Sequence, residues 1–351
     1  MPSLPELIHT TEGWQQQLRN VITSRDELLR VLGLSPADVG PDGGAGEDFA
    51  LKVPHSFVQR MQHGDPRDPL LLQVLSSQRE MIDTPGYGPD PVGESGATIP
   101  HRGIIHKYHG RVLLVVSGGC AVNCRYCFRR HFPYSDNRNS RQQWREAMQV
   151  INADDSIEEV ILSGGDPLMP TDEQLRDLVA QIAAIPHVRR LRIHTRLPVV
   201  IPARVTDTLL DAITHPALQT VVVVHCNHAR EIDSTLASAL AALRQRNITV
   251  LNQSVLLAGI NDSLDAQLDL CQALFAAGVL PYYLHVLDKV QGAAHFDVPD
   301  HRAQQLLAEM TDRLPGYMVP KLVREIAGAG SKTALDGNRG QVTSPITPYS
   351  K

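Results

Sequence analysis

The sequence predicts an α/β protein built as a partial, open (β/α)6 barrel with an N-terminal helical extension. From Arg111 onward, six apolar runs of strand length alternate with stretches of helical periodicity. Such alternation indicates a parallel sheet covered by helices. Six units are too few to close an eight-stranded barrel. Before Arg111, the apolar residues are spaced as in short amphipathic helices, which predicts a helical extension in front of the sheet.

The N-terminal extension is expected to cover residues 1–100 and to hold no catalytic constellation. Residues 1–35 have the spacing of an amphipathic helical segment, with Trp14 and Ile22 on one face. The stretch 84–103 is rich in proline and glycine, so we expect it to form an extended connector to the barrel.

The barrel is expected over residues 101–340 and a tail over 341–351. The predicted strands are 112–116, 159–162, 190–194, 220–224, 249–252 and 282–286. The predicted helices are 141–151, 171–184, 203–213, 231–244, 263–277 and 300–314. Polar or glycine-rich residues follow each apolar run. Because the loops after parallel strands meet at one rim of such folds, we expect a single functional site there.

A cysteine-rich loop follows the first predicted barrel strand. Cys120, Cys124 and Cys127 have C-x3-C-x2-C spacing and account for three of the five cysteines in the chain. Thiolates gather closely when a cation neutralises them, so the spacing predicts a metal centre. A structural zinc site usually takes four ligands in two paired halves, and the sequence has no second C-x2-C pair. An iron–sulfur cluster with one open iron, a zinc site and a chance concentration remain the alternatives.

Two loops of small residues leave room for a ligand. The run Ser163-Gly164-Gly165-Asp166 follows a predicted strand, and its glycines allow backbone to approach a ligand closely. A tight turn between strand and helix is the structural alternative. Lys332 lies in the loop AGAGSKTAL, where a flat pyridoxal ring would fit beside it. An ordinary solvated lysine is the alternative there.

The bulk composition narrows the class of protein. The net charge of −5 and the pI of about 6.3 argue against a nucleic-acid surface as the main function. No apolar run reaches the length of a membrane span, and the first residues lack the pattern of a secretory signal. The odd number of unevenly spaced cysteines does not fit a disulfide framework. We therefore expect a cytoplasmic protein that binds neither nucleic acid nor membrane.

Five longer motifs resemble the lysine 2,3-aminomutase family of radical S-adenosylmethionine (SAM) enzymes. They are HKYHGRVLLVVSGGCAVNCRYCFRRHFPY, SGGDPL, LRIHTRLPVVIPAR, LNQSVLLAGIND and PYYLHVLDKVQGAAHF. The resemblance is greatest to the shorter branch, which makes β-lysine for the modification of elongation factor P. It implies a barrel of the radical SAM type and an isomerase that converts L-α-lysine to β-lysine.

The resemblance also implies cofactors and partners. The cofactors are a 4Fe–4S cluster, S-adenosyl-L-methionine and pyridoxal 5′-phosphate. The substrate is L-lysine, the electron donor is a protein such as flavodoxin or ferredoxin, and there is a functional link to elongation factor P and its ligase. The alternative functions are a radical enzyme that modifies a peptide or RNA, and a zinc-stabilised binding module.

The resemblance assigns roles residue by residue. Cys120, Cys124 and Cys127 match the cluster ligands, and Lys332 matches the lysine that bonds to pyridoxal phosphate. The other cofactor positions are matched by Lys107, Tyr108, Arg111, Ser163, Gly164, Gly165, Asp166, His225 and Gln253. The substrate positions are matched by Arg129 for the carboxylate and by Asp288 and Glu325 for the side-chain ammonium.

Three positions depart from the family pattern. Glu325 stands where the family has aspartate, Lys107 stands where the larger enzymes have arginine, and Tyr126 replaces a histidine within the cysteine loop. Three assigned residues also have ordinary structural alternatives, which are a surface arginine for Arg129, a helix cap for Asp288 and a core histidine for His225.

Overall fold

A nine-stranded, mostly parallel sheet is the centre of the structure, a computed structural model that describes residues 13–94, 103–134 and 141–335. The strands are β1 (Ile104–Tyr108), β2 (Arg111–Ser117), β3 (Glu159–Gly164), β4 (Arg190–Thr195), β5 (Gln219–Val224), β6 (Thr249–Val255), β7 (Leu280–His285), β8 (Lys321–Arg324) and β9 (Thr333–Ala334). They lie in chain order, and β2 to β8 pair in parallel. The edge strands β1 and β9 are antiparallel to their neighbours. Within the described residues β1 and β9 do not pair, so the predicted partial, open barrel is confirmed.

The six predicted strands correspond to β2 through β7. The sequence prediction did not include β1, β8 and β9, which complete the sheet at its two edges. The strand β8 is only four residues long, with the sequence KLVR, and β9 is two residues long. Runs this short carry too little alternation to be recognised as strands.

Helices cover the outside of the sheet, and short helices also make up much of the N-terminal extension. They are α1 (Trp14–Arg19), α2 (Arg25–Val31), α3 (Pro36–Val39), α4 (Ala45–Asp48), α5 (His55–Val58), α6 (Arg141–Asn152), α7 (Asp172–Ala183), α8 (Leu197–Val200), α9 (Asp207–Ile213), α10 (Ser234–Gln245), α11 (Leu264–Ala276) and α12 (Asp300–Arg313). The start of α7 carries the capping box suggested by its sequence, since the Thr171 hydroxyl accepts from the Gln174 amide while the Gln174 side chain accepts from the Thr171 amide. Within the described residues, no helix is long and apolar enough to cross a membrane.

The N-terminal extension differs from its prediction at Ile22. The expected helix ends at Arg19, and Ile22 instead forms an antiparallel bridge with Val53, joined by backbone hydrogen bonds of 2.9 and 3.0 Å. Ile22 is buried, so its apolar character reflects packing rather than a helical face. Residues 1–12 of the predicted segment lie outside the described residues, as do 95–102 of the connector and the predicted tail 341–351.

One apolar core joins the extension to the sheet. Leu70 and Leu71 of the extension are fully buried and belong to the same cluster as Leu114 of β2 and Leu162 of β3. Burying a leucine side chain contributes about 2 kcal/mol to folding. The described part of the extension is therefore packed into the same core as the barrel.

Candidate active site

A cavity of about 650 Å³ lies among the loops that follow the parallel strands. Every residue assigned from the sequence to a cofactor or to the substrate lines this cavity. The structure therefore brings together side chains from Lys107 to Lys332, more than two hundred positions apart along the chain. This convergence follows from the parallel topology, because the carboxyl ends of all the strands face the same rim.

The cysteine loop, residues 118–134, forms one wall of the cavity. Cys120, Cys124 and Cys127 are free and half-buried. Burial raises the pKa of Cys127 to about 11 and raises that of Cys120 well above its ordinary value. Such thiols are protonated at neutral pH and lose the proton when a metal binds.

The three free thiols come from one short loop. Among the described residues, no three His, Cys, Asp or Glu side chains are grouped so that they could hold a single ion. Zinc needs such a convergent set. A cubic iron–sulfur cluster instead takes each thiolate on a different iron. The soft sulfur ligands therefore suit the cluster.

The glycines at the end of β3 are required by packing against the cysteine loop and the residue before it. Gly164 has a φ of +125°, and a Cβ there would lie 2.4 Å from the Ser117 carbonyl oxygen. A Cβ on Gly165 would lie 2.4 Å from the carbonyl oxygen of Gly119. The tight-turn explanation therefore accounts for both glycines, while Ser163 and both glycines also line the cavity.

Asp166 organises the loop after β4. Its carboxylate accepts hydrogen bonds from the Thr195 hydroxyl at 2.8 and 2.9 Å and from the amides of Leu168, Arg196 and Leu197 at 2.8 to 3.0 Å. Burial raises the pKa of Asp166 despite these donors. Both of its oxygens are already engaged, so its contacts with the protein are structural.

Arg129 forms a forked ion pair with Glu94, a residue that sequence reasoning missed. Its Nε and Nη2 donate to the two carboxylate oxygens at 2.6 and 2.8 Å, and its Nη1 donates to the Ser163 hydroxyl at 2.9 Å and the Gly164 carbonyl at 3.2 Å. Burial acts to raise the pKa of Glu94, but Arg129 and Lys107 together outweigh it and the pKa is lowered. Arg129 is buried, which excludes the alternative of a surface arginine.

A second cluster of charges holds Lys332. Its Nζ lies 2.7 Å from Glu325 Oε2, and Glu325 Oε1 accepts from the Tyr108 hydroxyl at 2.5 Å and from Lys107 at 3.3 Å. Burial acts to raise the pKa of Glu325, but Lys332, Tyr108 and Lys107 together overcome it and bring the pKa to about 2. Glu325 is thus ionised, and the Lys332 side chain is anchored by an ion pair rather than extended freely into solvent.

Asp288 and Arg111 both line the cavity, and neither has an ion-pair partner within the described residues. Burial raises the pKa of Asp288 to about 7. Arg111 lies over the Tyr108 ring, 4.9 Å from its centroid, and no ion pair with an acid is found for it in the described chain. Asp288 and Arg111 therefore offer an acid and a guanidinium to a ligand.

Buried polar atoms without partners mark the floor of the cavity. In the described part of the chain, His194 Nε2, His285 Nε2 and Gln253 Oε1 have no hydrogen-bond partner. The side-chain nitrogen of Gln253 lies 3.0 Å from His225 Nε2. Burial lowers the pKa of His225 to about 3, so its ring is neutral. Unpaired buried polar atoms cost free energy, so their presence in a cavity fits a site built around a polar ligand.

Arg196 is a further cavity residue that sequence reasoning did not assign. Its guanidinium donates to the Cys124 sulfur at 2.8 Å, to Gln73 at 2.7 Å and to Glu231 at 3.2 Å, and it also contacts the Tyr126 hydroxyl. Tyr126, whose role was open, is therefore part of a buried polar network behind the cysteines. Arg196 directly follows β4, so its position at the rim was the available signal.

Comparison with known proteins identifies the superfamily. Residues 114–270 match the family model of the Radical SAM superfamily. The matched segment begins within β2 and includes the cysteine loop and the glycine turn after β3. It therefore contains the three cysteines from which a metal centre was predicted.

Three curated relatives match nearly the whole chain, and each is an L-lysine 2,3-aminomutase. The relative from Escherichia coli (strain K12) is 52% identical over 326 residues, which are 93% of this chain and 95% of the relative. That from Haemophilus influenzae is 47% identical and covers 95% and 98% of the two chains. The relative from Clostridium subterminale is 31% identical, and the match spans 93% of this chain and 78% of the relative.

Proposed function

The chain belongs to the L-lysine 2,3-aminomutase family of radical SAM isomerases, and on that premise we propose that it moves the amino group of L-lysine from carbon 2 to carbon 3. The observation that carries the proposal is the arrangement of charges in one cavity. A guanidinium fork on Arg129, the acids Asp288 and Glu325 and the amine of Lys332 surround one space beneath the three cysteines. Free lysine has a carboxylate and two amino groups, so its charges match this set.

The proposed cofactors are a 4Fe–4S cluster, S-adenosyl-L-methionine and pyridoxal 5′-phosphate. When bound, the cluster and S-adenosyl-L-methionine supply a carbon radical, and pyridoxal phosphate supplies the carbonyl that carries the migrating nitrogen. Cys120, Cys124 and Cys127 would hold the cluster. The unpaired atoms of Gln253 and His285 offer polar contacts to these groups.

Pyridoxal phosphate would be held at both of its ends. Arg111 has no acid paired with it in the described chain and would bind the phosphate, with Lys107 and Tyr108 beside it. Lys332 must lose a proton before its amine can react with an aldehyde. Because the pKa of Glu325 is about 2, this carboxylate stabilises the ammonium and is a poor acceptor for the proton.

The substrate would be oriented by its charges. The fork of Arg129 suits a carboxylate because it donates two parallel hydrogen bonds. Asp288 and Glu325 would take the side-chain ammonium at the other end of the molecule. The burial of these groups keeps water away from the reacting carbons, which protects a radical from side reactions.

We also propose that the product is (R)-β-lysine used for the modification of elongation factor P, with flavodoxin or ferredoxin as the electron donor, in the cytoplasm. This proposal is supported by the greater resemblance of the motifs to the shorter branch of the family.

Anaerobic incubation with L-lysine, a reductant and S-adenosyl-L-methionine tests the activity. We expect β-lysine, identified by chiral chromatography, from protein that contains iron and sulfide in equal amounts. The control is the Cys124→Ala variant, which should form no β-lysine. A colourless protein that contains zinc and no sulfide would overturn the proposal, as would turnover of a peptide with no reaction on free lysine.

A further inference from the structure

Five charged side chains of the cavity form a continuous row in which cations and carboxylates alternate. Glu94 bridges Arg129 and Lys107, because its Oε1 lies 2.8 Å from Arg129 Nη2 and 3.4 Å from Lys107 Nζ. Lys107 lies 3.3 Å from Glu325, which in turn lies 2.7 Å from Lys332. Three cations and two carboxylates thus alternate in space, and this row of five side chains carries one excess positive charge.

The fork of Arg129 is occupied by Glu94 in this arrangement. Both donors that suit a bidentate carboxylate, Nε and Nη2, already bind the two oxygens of Glu94. The remaining nitrogen Nη1 is held by Ser163 and Gly164. An incoming carboxylate therefore has to displace Glu94 before it can use the fork.

We propose that Glu94 is an internal counter-ion that holds the Arg129 fork before the substrate binds and passes to Lys107 when the substrate carboxylate takes its place. The proposal rests on the assignment of Arg129 to that carboxylate. It makes Glu94 a positioning residue that selects for ligands carrying a carboxylate, since only an anion can replace it.

The exchange needs little movement. Glu94 Oε1 is already within 3.4 Å of Lys107, so a rotation of its carboxylate exchanges one cation for the other. Lys107 also donates to the Val92 carbonyl at 3.0 Å, which keeps its ammonium beside the same turn. Glu94 is therefore paired before and after the exchange, and no buried charge is left alone.

The excess positive charge of this row of five side chains favours the exchange. A carboxylate that enters the fork compensates this charge, and the side-chain ammonium of the same molecule meets Asp288 and Glu325. An amine without a carboxylate gains nothing from the displacement of Glu94. The internal pair should thus weaken the binding of all carboxylate ligands by a constant factor and leave the binding of simple amines unchanged.

The experiment is calorimetric binding of L-lysine and of cadaverine, its counterpart without the carboxylate. The reconstituted full chain is used without reductant, so that no turnover occurs. Glu94→Gln keeps the shape of the side chain and removes its charge. We expect this variant to bind lysine about tenfold more tightly, because the fork no longer has to release an anion. Its affinity for cadaverine should not increase.

Matched variants keep the test decisive. Glu158→Gln makes the same change in an exposed pair with Arg190 outside the cavity and should alter neither affinity. Glu94→Asp keeps the charge but shortens its reach, so we expect it to bind lysine with an affinity between those of wild type and Glu94→Gln. Melting temperatures with and without lysine show whether each variant is folded.

Two results would overturn the inference. Unchanged or weaker binding of lysine by Glu94→Gln would mean that Glu94 only positions Arg129. An equal gain for cadaverine would mean that a general charge effect is at work. The variant Arg129→Gln distinguishes a failure of this inference from a failure of the proposed function. Unchanged lysine binding in that variant would mean that Arg129 does not bind the substrate carboxylate.

Discussion

Two arginines of the cysteine loop each form a forked pair with a carboxylate of the N-terminal extension, but only one pair faces the cavity. Arg125 binds Glu80 at 2.8 and 2.5 Å, and Arg129 binds Glu94 at 2.6 and 2.8 Å. Arg129 and Glu94 both line the cavity, while the Arg125–Glu80 pair lies behind the loop, where the two side chains are 0% and 1% exposed.

The difference lies in what else each arginine and carboxylate can bind. Arg125 also donates to the carbonyls of Ala45 and Phe49, and Glu80 accepts a further bond from Arg130 at 3.0 Å. These contacts close the pair on all sides and tie the loop to the extension. Glu94 has a second cation beside it and an open cavity in front of it. The same motif is thus structural in one place and exchangeable in the other.

The largest contrast is expected in stability. Glu80→Ala leaves the buried guanidinium of Arg125 without a carboxylate and leaves Arg130 with Asp48 alone, so we expect the free energy of unfolding to fall by about 3–5 kcal/mol. Glu94→Ala leaves Arg129 beside a cavity that water can enter and with Ser163 still bound, so its cost should be about 1–2 kcal/mol. Urea unfolding of both variants measures this difference. Equal losses would show that the two pairs are equivalent.

Replacing each arginine by lysine tests which of the two pairs contributes to the binding of L-lysine. Arg129→Lys removes the two-pronged contact, so we expect the dissociation constant for L-lysine to rise about tenfold or more while the melting temperature changes little. Arg125→Lys should do the reverse, lowering the melting temperature without changing the lysine affinity of the folded protein. Calorimetry and thermal melting of both variants provide the measurements. An unchanged affinity in Arg129→Lys would contradict the assignment of the fork.

The structure also shows where sequence reasoning succeeds. The strands β2 to β7 are six or seven residues long and alternate with helices, so their order and the rim that follows them were predictable, and the assigned residues do meet in one cavity. Contacts between distant segments were not predictable. Glu94 lies in a connector without periodicity, and its partner Arg129 is 35 positions away. The same limit applies to Ile22, whose apolar spacing fits a helix but whose partner is Val53.

The smallest expected effect concerns the dependence of lysine binding on pH through Asp288. Burial raises the pKa of Asp288 to about 7, while burial lowers the pKa of His225 to about 3 and those of His194 and His285 well below their ordinary value. Asp288 is therefore the cavity group that titrates near neutrality. Only its ionised form attracts an ammonium, so lysine affinity should rise about tenfold between pH 6 and pH 8.

Asp288→Asn should remove most of this pH dependence and lower the affinity at pH 8. The same shift predicts a stability effect of opposite sign. The folded protein holds a proton on Asp288 that the unfolded chain loses near pH 4, so the contribution of this residue to stability falls as pH rises from about 4 to 7. Asp288→Asn should therefore melt at a higher temperature than wild type at pH 8.

Norleucine, which keeps the carboxylate but lacks the side-chain ammonium, should bind with little dependence on pH. A pH dependence equal to that of lysine would place the titrating group at the Arg129 end instead.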